Sequence, residues 1–141
     1  MRQKIVAEAR AWIGTPYRHQ ASARGIGCDC LGLVLGVWRA LYGELPEEVP
    51  PYAPDWAEAG GRETLADAAG RHLRPCDGAE IAAGDLLIFR WRPHVPAKHL
   101  AIATAPGRMI HAHDGAEVAE VAITPFWRRK IAYRFSFPGA P

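Results

Sequence analysis

Residues 30–42 read Cys-Leu-Gly-Leu-Val-Leu-Gly-Val-Trp-Arg-Ala-Leu-Tyr, a run that is apolar on nearly every face of a helix. Asp29 stands before it as an N-cap and Gly43 after it as a C-terminal stop, so both helix boundaries are marked. A helix with no polar face has to be buried all round. Gly32 and Gly36 each cost about 1 kcal/mol of helix propensity, which reads as close approach by another element.

Upstream, Ile5, Val6, Ala9, Trp12 and Ile13 fall at helical spacing within residues 2–13, with Arg2, Lys4, Glu8 and Arg10 on the other side. This predicts an amphipathic first helix stopped by Gly14 and Pro16. Residues 15–29 are polar and turn-rich and read as a loop. Downstream, Pro46, Pro50, Pro51 and Pro54 mark 44–62 as a surface excursion. Whether that segment, with Tyr52 and Trp56, covers a cleft, docks a partner or is plain structural cover stays open. A short helix is predicted over 63–73, with Leu65, Ala69 and Leu73 on one side.

After Gly84-Asp85 the period changes. Leu86–Trp91, His99–Thr104, Arg108–Ala112, Glu117–Ile123 and Ile131–Phe137 read as short strands, the first four as an antiparallel meander. Helices followed by strands predict an α+β fold: one domain over 1–141, with the buried helix packed on an antiparallel sheet of about five strands.

The 141 residues carry 17 Lys plus Arg against 15 Asp plus Glu, a net charge of +2 too small and too evenly spread for a nucleic-acid footprint. Arg128, Arg129 and Lys130 form the one basic run and read as a solvated face. With 49% hydrophobic and 23% charged residues the composition is that of a globular domain. No stretch approaches membrane-spanning length, so no membrane insertion is expected. Charges interrupt the N-terminal apolar residues before a signal-peptide core forms, so synthesis and folding in the cytoplasm are expected. Three cysteines, of which Cys28 and Cys30 are separated by one residue, do not make a disulfide scaffold. The odd thiol is a nucleophile, a metal ligand or core packing.

Cys30 sits where the loop meets the first turn of the buried helix. There, exposed N–H groups and the helix dipole are expected to lower a thiol pKa from about 8.5 toward neutrality. His99 opens one strand candidate and His111 ends the next. A hairpin turning through Thr104-Ala105-Pro106 sets 103 against 107 and 99 against 111, with both imidazoles on one sheet face. A turn at Ala105-Pro106 sets His99 against Ala112 instead, so the triad reading needs the first register. Nucleophile, base and orienting group then follow in chain order from different elements, as cysteine hydrolases require.

Gly-Thr-Pro-Tyr (14–17), Gly-Cys-Asp-Cys-Leu-Gly-Leu-Val (27–34), Gly-Asp-Leu-Leu-Ile-Phe (84–89), His-Leu-Ala-Ile (99–102) and Met-Ile-His-Ala (109–112) resemble the ordered motifs of the NlpC-type cell-wall peptidases. These are papain-like cysteine enzymes that cut peptidoglycan stem peptides. The resemblance implies Cys30 as nucleophile, His99 as base and His111 as the third member that orients His99. It also implies that Asp29 lines the substrate site near the amino end of the stem peptide and Tyr17 lies beside the oxyanion. The implied reaction, typically at the bond between γ-D-glutamyl and the diamino acid, needs no metal or organic cofactor. Cys28 matches no family position and reads as packing.

The residue after the nucleophile, commonly Ser in the family, is Leu31 here, and His19-Gln20-Ala21 replaces the usual Gly-Gly. Tyr-Arg-His-Gln-Ala-Ser (17–22) with the Cys30 motif resembles the branch found in phage and gene-transfer-agent tails. This implies tail or baseplate partners and delivery to the wall on a particle. Three other readings stand beside this one. They are acyl transfer or non-peptidic amide hydrolysis on the same scaffold, a tail protein that binds without turnover, and a structural metal site drawn from Cys28, Cys30, Cys76, His19, His72, His94 and His113. The Cys-x-Cys spacing departs from that of most zinc sites. His94 and His113 read as exposed loop residues.

Overall fold

The central helix forms as its caps dictate. In the computed structural model, which describes residues 1–49, 62–78 and 80–141, α2 spans Cys30–Tyr42. Asp29 Oδ1 accepts the Gly32 N–H at 2.7 Å, and Gly43 closes the helix at φ +89°, a conformation that suits glycine. Helix α1 covers Arg2–Arg10 and ends earlier than predicted. Residues 11–13 turn into Gly14, at φ +91°, whose N–H bonds Val118 O at 2.8 Å, and Ile13 is left 46% exposed.

The predicted loop contains a small antiparallel hairpin, β1 (Ser22–Ala23) and β2 (Gly27–Cys28), with Ser22 opposite Cys28. Helix α3 is Thr64–His72. Most of the proline-rich excursion, including Tyr52 and Trp56, lies outside the described residues.

The main sheet has six strands where about five were expected. These are β3 (Arg74–Pro75), β4 (Leu86–Phe89), β5 (His99–Ala105), β6 (Arg108–His111), β7 (Ala119–Ala122) and β8 (Ile131–Ser136), in the order β3-β8-β4-β5-β6-β7. The meander β4 to β7 is as predicted, and β8 returns to pair with β4 on its other side. The strand missed from sequence is β3, two residues long and containing Pro75. A further helix, α4 (Pro125–Lys130), was also missed; Thr124 caps it and proline opens it. Its Arg128 and Arg129 are exposed, in agreement with the solvated-face reading, whereas Lys130 is half-buried and donates to Trp91 O at 2.7 Å.

The β5–β6 register corrects both sequence alternatives. Ala105 faces Arg108 across Pro106-Gly107, and a bulge at Thr104 then shifts the ladder so that Ala103 faces Met109 and Ile102 faces Ile110. Proline, with φ fixed near −65°, takes the first corner of the turn, and the bulge absorbs one residue. Continued outward, this register sets Ala101 rather than His99 against His111. The displacement is an even number of residues, so the two histidines keep the same face.

Side chains alternate between two apolar layers. Leu86, Ile88, Leu100, Ile102 and Ile110 pack with Ile5, Leu33, Val37 and Leu65 of α1, α2 and α3. Leu87, Phe89, Ala101, Ala103 and Met109 face the other way, toward Ile123 and Trp127. The inner side of α2 is tightly seated. A Cβ on Gly32 would lie 1.8 Å from Ala21 O, and one on Gly36 would lie 2.0 Å from Trp12 Cζ2. The outer side is not fully buried as expected. Leu31, Leu35 and Trp38 line a groove of about 500 Å³ toward α3.

Candidate active site

Two backbone junctions meet here: the loop that becomes α2 and the loop that becomes β5. Around the first, Cys28 N–H bonds Pro16 O and Arg18 N–H bonds Cys28 O, each at 3.0 Å. This straps Tyr17 alongside Cys28, two residues before Cys30. Asp29 is 3% exposed, and its two carboxylate oxygens accept the Gly32 and Gln20 N–H groups, each at 2.7 Å. Its carboxylate therefore ties the 17–23 loop to the start of α2. Gln20 takes φ +65° there, a left-handed conformation that is uncommon for a residue other than glycine.

At the second junction, Glu63 forms an ion pair with Arg90 and accepts the Ala97 N–H at 3.0 Å. Arg90 Nη1 also donates to Val95 O at 2.7 Å. This clasp holds the 90–98 connection that delivers Lys98 and His99 to the site.

The Cys30 thiol donates to Lys98 O at 3.7 Å, and the Leu100 N–H is close enough to favour its thiolate, so the sulfur lies near the backbone on both sides of His99. The thiol pKa contradicts the sequence expectation. Burial pushes it up to about 12 and the Asp29 charge adds to the rise, while the N–H groups of Leu100, Leu31 and Cys30 act in the opposite direction. The helix-start donors are present as anticipated, but desolvation outweighs them.

His99 and His111 come together on their shared face although the register that the triad reading needed does not form, with His99 Nε2 and His111 Nδ1 2.8 Å apart. Burial, then the neighbouring His111 and His113, hold the His99 pKa well below 6.5. Burial followed by His113 lowers that of His111 to about 4. At neutral pH the site is therefore a neutral thiol with two neutral imidazoles. One ring nitrogen of the pair donates and the other accepts. Donation by His99 Nε2–H leaves Nδ1 as the basic nitrogen.

Tyr17 is also neutral. Burial, with the nearby Cys30, Asp29 and Asp114 charges, raises its phenol to about 12, so it stays a hydrogen-bond donor. Cys28 is buried in the core and pushed up to about 11 by burial, in keeping with its reading as packing. Cys76 lies beside Asp85 Oδ1 at 3.6 Å and Ser136 Oγ at 3.3 Å, and His72 lies 3.0 Å from Glu47. The donors of the metal-site reading are thus dispersed, and no group of three or more His, Cys, Asp or Glu suited to a metal occurs among the described residues.

Sequence reasoning missed a ring cluster around His99. Phe89, Trp91, His113 and Trp127 have centroids 5.3–5.6 Å from it. His113 is exposed, as read, yet its ring lies parallel to His111 within 7° at 5.6 Å. Two signals were there. Positions 111 and 113 have the two-residue spacing of one strand face, and Thr124-Pro125 is a cap followed by a first-turn proline just ahead of Trp127.

A family model described as the NlpC/P60 family matches residues 14–134. The chain is 29% identical over 119 residues to the murein DD-endopeptidase MepH of Escherichia coli (strain K12), covering 83% of this chain but 39% of that protein. The crystal structure of the NlpC/p60 domain of peptidoglycan hydrolase SagA matches with a TM-score of 0.62 at 26% identity, over 97% of this chain and 99% of that one. NlpC2 from Trichomonas vaginalis matches with a TM-score of 0.68 at 17% identity, over 96% and 46% of the two chains.

Proposed function

The chain belongs to the NlpC/P60 family, and on that premise we propose that it is a cysteine peptidase acting on an amide of the peptidoglycan stem peptide, with Cys30, His99 and His111 as its reacting and orienting groups. The observation that carries this reading is the 2.8 Å His99–His111 contact beside a cysteine whose sulfur lies near the backbone on either side of His99.

Because thiol and imidazole are both neutral at rest, the thiol proton passes to His99 Nδ1 as sulfur attacks the amide carbonyl. The carbonyl oxygen gains the negative charge. The Cys30 N–H at the helix start and the Tyr17 hydroxyl are the donors available to it. Collapse breaks the C–N bond, and His99 returns its proton to the leaving amine. Water, deprotonated by His99, then cleaves the thioester. His111 holds the His99 tautomer throughout, the role a carboxylate or amide plays in other triads. Asp29 is assigned to the amino end of the stem peptide, at the loop it ties down.

The scissile bond is assigned to the amide between γ-D-glutamyl and the diamino acid. A second reading is favoured by the name of the relative MepH, a DD-endopeptidase, which points to the cross-linking bond. Mass spectrometry of the products from a defined cross-linked muropeptide tests both: the masses identify the bond, and Cys30→Ala abolishes the products.

The tail role rests on the Tyr-Arg-His-Gln-Ala-Ser (17–22) resemblance together with the Cys30 motif. Peptide mass fingerprinting of purified tail-bearing particles tests it, and absence of the protein from them would remove it.

A further inference from the structure

The His99–His111 hydrogen bond lies against a ring that the chemistry above leaves unused. Trp127 stacks on His99, with centroids 5.6 Å and planes 27° apart, and meets His111 edge-on at 5.2 Å and 88°. The indole also touches Phe89 at 5.4 Å and Trp91 at 5.7 Å. Its helix is anchored from several sides. Thr124 Oγ1 accepts the Trp127 backbone N–H at 3.4 Å, Lys130 Nζ donates to Trp91 O at 2.7 Å, and Arg128 Nη2 donates to Pro106 O at 3.3 Å. Under this cover His99 is 4% and His111 6% exposed.

We infer that Trp127 is a positioning residue for the proposed reaction: its ring keeps water off the His99–His111 hydrogen bond and holds His99 in the orientation that leaves Nδ1 free to act as base. A hydrogen bond between two neutral imidazoles is weak when water competes for both partners and stronger once they are desolvated. A flat indole supplies that cover at little conformational cost, because it has two side-chain torsions and is itself packed. The titratable group that acts on both imidazoles is His113, from the β6–β7 connection. The charged groups that anchor α4 and the 90–98 connection are directed elsewhere: Lys130 to Trp91 O, Arg128 to Pro106 O and Arg90 to Glu63. Burial is the first cause of both depressed imidazole pKa values, so opening the cover has a direct signature.

The inference rests on His99 being the base, and its test separates the two. Imidazole nitrogen NMR titrations of the wild type, Trp127→Phe and Trp127→Ala report the pKa and tautomer of His99 and His111 whether or not the protein turns over. Steady-state kinetics on a γ-D-glutamyl-diaminopimelate tripeptide run alongside. Trp127→Phe keeps the wild-type titration and a kcat within about twofold. Trp127→Ala raises both imidazole pKa values by about one unit or more and moves the acid limb of kcat to higher pH. It also lowers kcat on the order of tenfold, with KM little changed. If Trp127→Ala does not fold, Trp127→Leu, which restores bulk without stacking, carries the same readouts. Unchanged imidazole pKa values and tautomers in a folded variant overturn the inference, even if kcat falls. Wild-type protein that shows the titration but cleaves no stem peptide overturns the peptidase reading and leaves the cover established.

Discussion

His99 Nε2 and His111 Nδ1 approach to 2.8 Å although the β5–β6 ladder does not set them opposite one another. The contact is diagonal, made across neighbouring strands by side chains of equal parity. Diagonal pairs of this kind are within reach of ring side chains. On the proposed mechanism His111 accepts from His99, so His111→Ala lowers kcat on the order of 10²-fold or more. His111→Asn, whose amide oxygen can still accept, recovers part of that loss. Steady-state kinetics on a defined stem peptide measures both, and equal kcat for His111→Ala and wild type contradicts the assignment.

The same pair makes stability depend on pH. Both folded-state imidazole pKa values lie below the ordinary 6.5, that of His111 at about 4. Between those limits the unfolded chain binds more protons than the folded one, so stability rises with pH and is complete above about 6.5. It is lost as pH falls toward 4, at up to about 1.4 kcal/mol per pH unit for each histidine. Urea unfolding between pH 7 and 4 measures this slope. The His111→Asn variant flattens it, because one of the two groups is gone.

The thiol has the opposite sense. Its pKa is raised from 9.0 to about 12 by burial, so at pH 7 Cys30 is alkylated by iodoacetamide more slowly than free cysteine, with a rate that keeps climbing beyond pH 9. A Cys30 thiolate already formed near neutrality, read from its ultraviolet absorbance, contradicts the neutral-pair mechanism.

Two glycines fix how closely α2 is approached. Gly32→Ala drives a Cβ to 1.8 Å from Ala21 O, a backbone atom, and Gly36→Ala drives one to 2.0 Å from the Trp12 ring. Each is expected to destabilise by about 1–3 kcal/mol in denaturant unfolding, the usual cost of overpacking. Gly32→Ala also lowers kcat, because the displaced loop carries Tyr17 and is tied to Asp29.

Asp29 joins the fold to the site. Asp29→Ala removes both an N-cap and the Gln20 tether and is expected to cost about 1–2 kcal/mol. Asp29→Asn keeps an acceptor for Gly32 N–H but turns a donor toward Gln20 N–H, so it recovers the helix cap and not the loop. Denaturant unfolding read beside kcat separates the two contributions.

These residues also show how far the sequence could be read. The boundaries of α2 were legible because Asp29 and Gly43 act locally, and the close approaches because glycine in a helix carries a cost that needs a reason. The histidine pairing survived a wrong turn assignment because a face depends on parity alone, whereas a register depends on where Pro106 and the Thr104 bulge fall. The direction of the Cys30 pKa was illegible: local donors at the helix start were visible, but the burial that outweighs them is a tertiary effect, in which the backbone at Lys98, nearly seventy residues away in sequence, takes part. Trp127 was hidden for a related reason. Its helix is six residues long, too short for a period, and its value lies in which rings it meets.

At the centre of the proposed mechanism, Cys30 attacks a stem-peptide amide with His99 as base. The most direct measurement is mass spectrometry of wild type, Cys30→Ala and His99→Ala after incubation with L-alanyl-γ-D-glutamyl-diaminopimelate, combined with acid-quenched intact-protein mass. The mechanism predicts cleavage at the γ-D-glutamyl amide by wild type alone and a transient acyl adduct on Cys30. Cleavage that persists in Cys30→Ala, or an adduct on Cys28 or Cys76 instead, contradicts it.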